Sequence, residues 1–265
     1  MESILTAYRS SSDDCASASS ESEEECPTST LLAKRKRSDE PHFVRAFPHV
    51  DGNWPSHVRL EFPVNPEFRE LAKCTIDRAQ KLVGDAITVV PFKELGLHKS
   101  ISAGGNKYLH VSLSRPFVLC YHQINNFVDS LRAALKWRQR FKITLQSALV
   151  LLNDDKTRSF LALQVGEGEQ DVSQVLCRVD QCLSRFNLSS FYKASVFMAF
   201  SAFADPIPHV SIASSPGEGL AQLTLDQCKS LYKERQDLVP LRCLTTSIAT
   251  IQVVIGNKRF NVPLL

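Results

Sequence analysis

Two tetrapeptides 99 residues apart, His110-Val111-Ser112-Leu113 and His209-Val210-Ser211-Ile212, repeat one alternation of polar and apolar residues inside strand-like stretches. In a β-strand, residues i and i+2 face the same side about 7 Å apart. Each segment is therefore expected to point an imidazole and a hydroxyl into one space while Val111, Leu113, Val210 and Ile212 anchor in the core. A third His-x-Ser, His98-Lys99-Ser100, lacks this pattern, because Lys99 would occupy an anchoring position. Either histidine alone reads as an ordinary surface or core residue. The matched pair constrains the fold: each half of the chain must deliver one such strand to a shared groove.

The surrounding sequence alternates strands with helices. His57 to Phe62 alternates as a half-buried strand does. Asn65 as N-cap and Pro66 at the first helical position then open a helix that buries Phe68, Leu71, Ala72, Ile76, Ala79 and Val83 and ends at Gly84. Strands are expected over 86–91 and 108–114, and a second helix carries Phe127, Val128, Leu131, Ala134 and Leu135. Two long strands, 141–152 and 157–165, flank the turn Asn153-Asp154-Asp155-Lys156. A third helix over 170–186, a strand at 210–213, a short helix near 223–233 and a hairpin turning at Gly256-Asn257 complete the chain. The fold class is α+β. Its order reads as two α+β units in succession, and its hairpins favour antiparallel sheets.

Composition narrows the class. Hydrophobic residues are 43% and charged residues 22%, a globular balance. The longest apolar stretch, 194–204, falls short of the about 20 residues a spanning helix needs. The first ten residues lack the apolar run of a secretory signal. Eight cysteines without a C-x-x-C pair fit a reducing compartment better than a disulfide framework or zinc site. Residues 1–40 carry a net charge of −4 and are rich in serine, so residues 1–41 read as a disordered tail. The remainder, 42–265, carries about +7 and favours an anionic partner. Lys34-Arg35-Lys36-Arg37 in the tail reads as a nuclear-import signal or as a solvated charge run.

Two imidazoles and two hydroxyls suit phosphodiester chemistry. Near neutral pH imidazole serves as acid or base, so one His110/His209 ring can take a proton while the other gives one. Ser112 and Ser211 can donate to the non-bridging phosphate oxygens, where charge must be held. This equipment requires no metal and no cofactor. Which ring is acid and which is base is not readable from sequence.

The paired motifs resemble the two-histidine phosphoesterase superfamily. Gly52-Asn53-Trp54 with His57-Val58, Lys156-Thr157-Arg158-Ser159-Phe160, Phe186-Asn187-Leu188 with Phe191-Tyr192, and Asp205-Pro206 before His209 extend the likeness over about residues 42–265. The resemblance implies a bilobed, pseudo-symmetric fold, two mainly antiparallel sheets flanking a central cleft with helices outside. It also implies a nuclear, monomeric 3′-to-5′ exoribonuclease that trims uridines of U6 small nuclear RNA without metal, leaving a 2′,3′-cyclic phosphate. His110 and His209 would be catalytic, with Ser112 and Ser211 on the phosphate. An aromatic ring before the second motif would stack on the terminal base. An apolar insertion, 193–204, leaves Tyr192 or Phe203 as that ring, and Asp154 falls near the same base. Two other readings stay open: a phosphodiesterase of 2′,3′-cyclic or 2′,5′-linked nucleotides, and an inactive RNA-binding scaffold.

Overall fold

The computed structural model describes residues 50–97, 107–191, 206–236 and 240–265. In chain order these form β1 (Asn53–Pro63), α1 (Pro66–Val83), β2 (Val90–Pro91), β3 (Tyr108–Ser112), β4 (Phe117–Cys120), α2 (Ile124–Leu135), β5 (Phe141–Leu152), β6 (Arg158–Val165) and α3 (Glu169–Arg185). There follow β7 (His209–Pro216), α4 (Leu225–Gln236), a single-turn α5 (Leu241–Leu244), β8 (Thr245–Ile248), β9 (Thr250–Ile255) and β10 (Lys258–Pro263). No helix among the described residues is long and apolar enough to cross a membrane.

The strands form one sheet in the order β10-β9-β1-β3-β7-β6-β5-β8, with β2 added to β7 and β4 to β1. Every ladder is antiparallel. The two expected sheets are thus the halves of one ladder, joined between β3 and β7 by the single bridge pair Val111–Val210. The halves are not successive in the chain, contrary to the order read from sequence. The C-terminal β9–β10 hairpin pairs with β1, and β2 crosses to β7. Helices cross as well: α1 packs beside α4, which lies on β5, whereas α2 packs beside α3 and reaches β10. Strand partners depend on which edge buries the most apolar surface, and local periodicity does not encode that.

Helices cover one face of the sheet. Val58, Leu60 and Phe62 of β1 are buried beneath them, and the Phe62 and Phe68 rings meet at 5.1 Å. The first helix forms as its cap dictates, with Asn65 Oδ1 accepting the Phe68 N–H at 2.7 Å. The strand expected over 86–91 shortens to Val90–Pro91 because the Gln80 side chain takes its place. Its amide donates to the Gly84 and Ile87 carbonyls and accepts the Val89 N–H. At the β9–β10 turn, Gly256 has φ +52°, and a Cβ there would meet Trp54 Cε3 at 2.8 Å. The hairpin therefore closes against the start of β1.

Candidate active site

The face of the sheet away from the helices carries the alternate residues of each strand. On β3 these are Tyr108, His110 and Ser112, while Leu109, Val111 and Leu113 are buried against the helices. On β7 they are His209 and Ser211, with Val210 and Ile212 fully buried. Both sets of anchors expected from sequence are in the core.

The bridge between Val111 and Val210 decides the arrangement. Continuing that antiparallel register places His110 beside Ser211 and Ser112 beside His209, so imidazoles and hydroxyls alternate around one patch. Side chains directly opposite each other on such strands have Cβ atoms about 5 Å apart. The four residues thus converge on one space small enough for a phosphate group.

The next strand over extends the patch. β1 sets Glu61 opposite His110 and Arg59 opposite Ser112. His57 lies on the same face, its ring centroid 5.9 Å from that of His110. The Arg59 guanidinium donates to Gln252 Oε1 at 3.2 and 3.3 Å and to Glu61 Oε1 at 3.4 Å. On the other flank, Gln164 of β6 stands opposite His209.

These surroundings set the protonation of the rings. His110 keeps an edge open to solvent, yet protein on its other sides removes enough hydration to lower its pKa to about 4, helped by the charge of Arg59 and opposed by Glu94. Burial, then Arg59 and His110, lowers His57 to about 4. His209 is lowered by burial as well, against an opposing hydrogen bond from its ring to Ile207. That bond, Nδ1 to the Ile207 carbonyl at 2.7 Å, defines the tautomer. A carbonyl only accepts, so Nδ1 carries the proton and Nε2 of the neutral ring keeps a lone pair. Burial thus favours the neutral form of all three rings in the free protein.

Beyond the Ser112 end of β3, Arg115 joins two elements. Its Nε donates to the Phe191 carbonyl at 2.9 Å, and its guanidinium pairs with the exposed Asp154 carboxylate. The Phe191 N–H is held at 2.7 Å by Asp180 Oδ1. Asp154 therefore sits in the expected turn with its charge already paired. Tyr192 and Phe203, the two stacking candidates, lie outside the described residues, as does His98. Among the described residues no three His, Cys, Asp or Glu side chains gather as a metal site.

Residues 13–263 match the HVSL family, described as an uncharacterised conserved protein. His110-Val111-Ser112-Leu113 spells that name. U6 snRNA phosphodiesterase 1 of Rattus norvegicus is 30% identical over 223 residues, covering 83% of this chain and 73% of the relative. Its counterpart in Xenopus laevis is 30% identical over 223 residues, covering 84% and 78%. The chain belongs to the HVSL family of U6 snRNA phosphodiesterases. The solved structure of Kluyveromyces marxianus Usb1 shares the fold at a TM-score of 0.54 and 18% identity, covering 79% of this chain and 98% of that one.

Three residues of the patch in this HVSL chain carry no site role in the sequence reading. His57, Arg59 and Glu61 occupy alternate positions of β1, in the same polar–apolar frame as the two motifs. The frame was visible in the sequence. Its alignment with His110 was not, because it depends on β1 pairing with β3.

Proposed function

We propose that this protein is a 3′-to-5′ RNA exonuclease that trims uridines from the 3′ end of U6 small nuclear RNA by metal-independent transesterification. The register of β3 against β7 carries the reading, because it turns two ordinary His-x-Ser strands into a patch with two imidazoles and two hydroxyls. The name its relatives bear supports the substrate.

The chemistry balances without an external reactant. The 2′-hydroxyl of the penultimate nucleotide attacks the adjacent 3′ phosphate, and one imidazole, of His110 or His209, takes its proton. The new bond from 2′ oxygen to phosphorus forms as the bond to the 5′ oxygen of the terminal nucleoside breaks. The other imidazole protonates that departing oxygen. The products are the free nucleoside and an RNA ending in a 2′,3′-cyclic phosphate, a lyase-type step. Ser112 and Ser211 donate to the non-bridging oxygens as charge builds there. The anionic phosphate raises the pKa of the adjacent rings, which favours the protonated partner that the step requires.

The reading extends to the rest of the chain. Residues 42–265 form the catalytic domain and work as a monomer. Residues 1–41 are a tail in which Lys34-Arg35-Lys36-Arg37 directs the protein to the nucleus, where U6 RNA serves splicing. Asp154 and either Tyr192 or Phe203 lie near the terminal base.

The test is incubation of purified protein with a 3′-oligouridine RNA in excess chelator, followed by mass analysis of the termini. Stepwise loss of uridine with a cyclic phosphate end is expected. His110→Ala and His209→Ala should each slow release by about 10²- to 10⁴-fold. Unchanged trimming by the double variant contradicts the reading. Turnover of a cyclic mononucleotide alone favours a small-nucleotide enzyme, and tight binding without turnover favours a scaffold.

A further inference from the structure

Beside the histidine patch, the same face of the sheet opens into a cavity of about 420 Å³ lined by Glu61, Tyr108, Gln252 and Asn261, with the β8–β9 corner (246–250) on its far side. Tyr108 is two residues from His110 on β3, hence about 7 Å away on the same face. That is roughly one step along an RNA strand, from a phosphate to the base of the nucleoside that bears it.

The lining is built for a flat, neutral, hydrogen-bonding ring. Tyr108 presents an aromatic surface, 37% exposed. Gln252 is oriented by Arg59, which donates to its amide oxygen twice. A guanidinium has no acceptor, so the Gln252 oxygen faces Arg59 and its NH2 group is turned elsewhere. Asn261 stands opposite Gln252 in the β9–β10 register and brings a second amide to the wall. The described residues that line the cavity include no cation, and the adjacent Arg59 is engaged by Glu61 at 3.4 Å. Two amides and a phenol ring are a means of holding a base, whereas a phosphate would call for cations.

The chain also supplies a direction. Arg115 lies off the Ser112 end of β3 and pairs there with Asp154, which the exonuclease reading sets near the terminal base. The Tyr108 end is then where the 5′ portion of the strand continues. We infer that the cavity binds the base of the penultimate nucleotide, so that the ribose carrying the attacking 2′-hydroxyl is seated by its own base. The inference rests on the exonuclease reading and names a second subsite for it.

Two oligouridine RNAs test this, one intact and one with an abasic ribonucleotide at the penultimate position, each with wild type, Tyr108→Ala and Gln252→Ala. Loss of a stacked base should lower wild-type kcat/KM about tenfold. Tyr108→Ala should lose a similar factor on the intact RNA and be indifferent to removal of the base, with Gln252→Ala intermediate. Equal trimming of both RNAs by wild type overturns the subsite and leaves the exonuclease reading standing. A variant that slows both RNAs by the same factor overturns it too, because that is a structural effect. If wild type trims neither RNA, the exonuclease reading falls first. Binding of the same pair carrying a 2′-deoxy penultimate sugar, or its abasic analogue, then reads the cavity directly: an affinity penalty for the abasic strand supports it, and equal affinity overturns it.

Discussion

Val111 of β3 stands opposite Val210 of β7, and both side chains are buried. Everything polar at the site follows from this apolar pair. With these positions facing the core, His110, Ser112, His209 and Ser211 must face the other way, in crossed order. A shift of one residue in either strand would turn its imidazole and hydroxyl into the core.

The two hydroxyls should separate from the two imidazoles in mutant kinetics. Removing one donor to a developing oxyanion typically lowers kcat by about 10²-fold or more. Ser112→Ala and Ser211→Ala are each expected in that range on oligouridine, with KM little changed. A rise in KM at unchanged kcat would instead mark them as ground-state contacts.

The histidines predict a pH signature. His110 and His57 titrate near 4 in the folded protein, against an ordinary value of 6.5. The unfolded chain therefore takes up protons that the fold refuses, so stability is full above about pH 6.5 and declines as pH falls toward 4. Thermal unfolding across that window should show the decline, and His57→Gln should make it shallower. Arg59 holds both rings down, so in Arg59→Gln the His110 resonances should titrate at higher pH than in wild type.

The Arg115–Asp154 pair is exposed, with side-chain accessibilities of 42% and 62%. Such a pair contributes less than about 1 kcal/mol. Asp154→Asn should leave the unfolding midpoint nearly unchanged and, by removing an anionic group from the proposed terminal-base end, tighten oligouridine binding at low salt. Equal affinity across a salt titration would place Asp154 away from the RNA path.

Asn65 tests the fold apart from the chemistry. It caps α1 through Phe68 and also donates to the Cys243 carbonyl at 3.3 Å. Asn65→Ala should lower stability by about 1 kcal/mol in chemical denaturation, with turnover on oligouridine unaffected at 25 °C.

Where local chemistry decides, the sequence was legible. Asn65-Pro66 announced α1, Gly256-Asn257 announced the last turn, and the alternation around each motif placed four side chains on one face. Where partners decide, it was not. Phe117-Val118-Leu119-Cys120 is too short and too uniformly apolar to betray β4, which exists because the start of β1 offers it an edge. Docking of β9–β10 on β1 likewise depends on long-range burial. His57 and Arg59 could not be assigned to the site for the same reason, since only the β1–β3 pairing brings them to His110.

The central claim is that both imidazoles act on one phosphate. A crystal structure with an oligouridine carrying a 2′-deoxy penultimate nucleotide, which lacks the attacking hydroxyl, tests it directly. The scissile phosphate is predicted between His110 and His209, its non-bridging oxygens within hydrogen-bond distance of Ser112 and Ser211. A phosphate bound to one histidine only, or elsewhere on the sheet, would contradict the account.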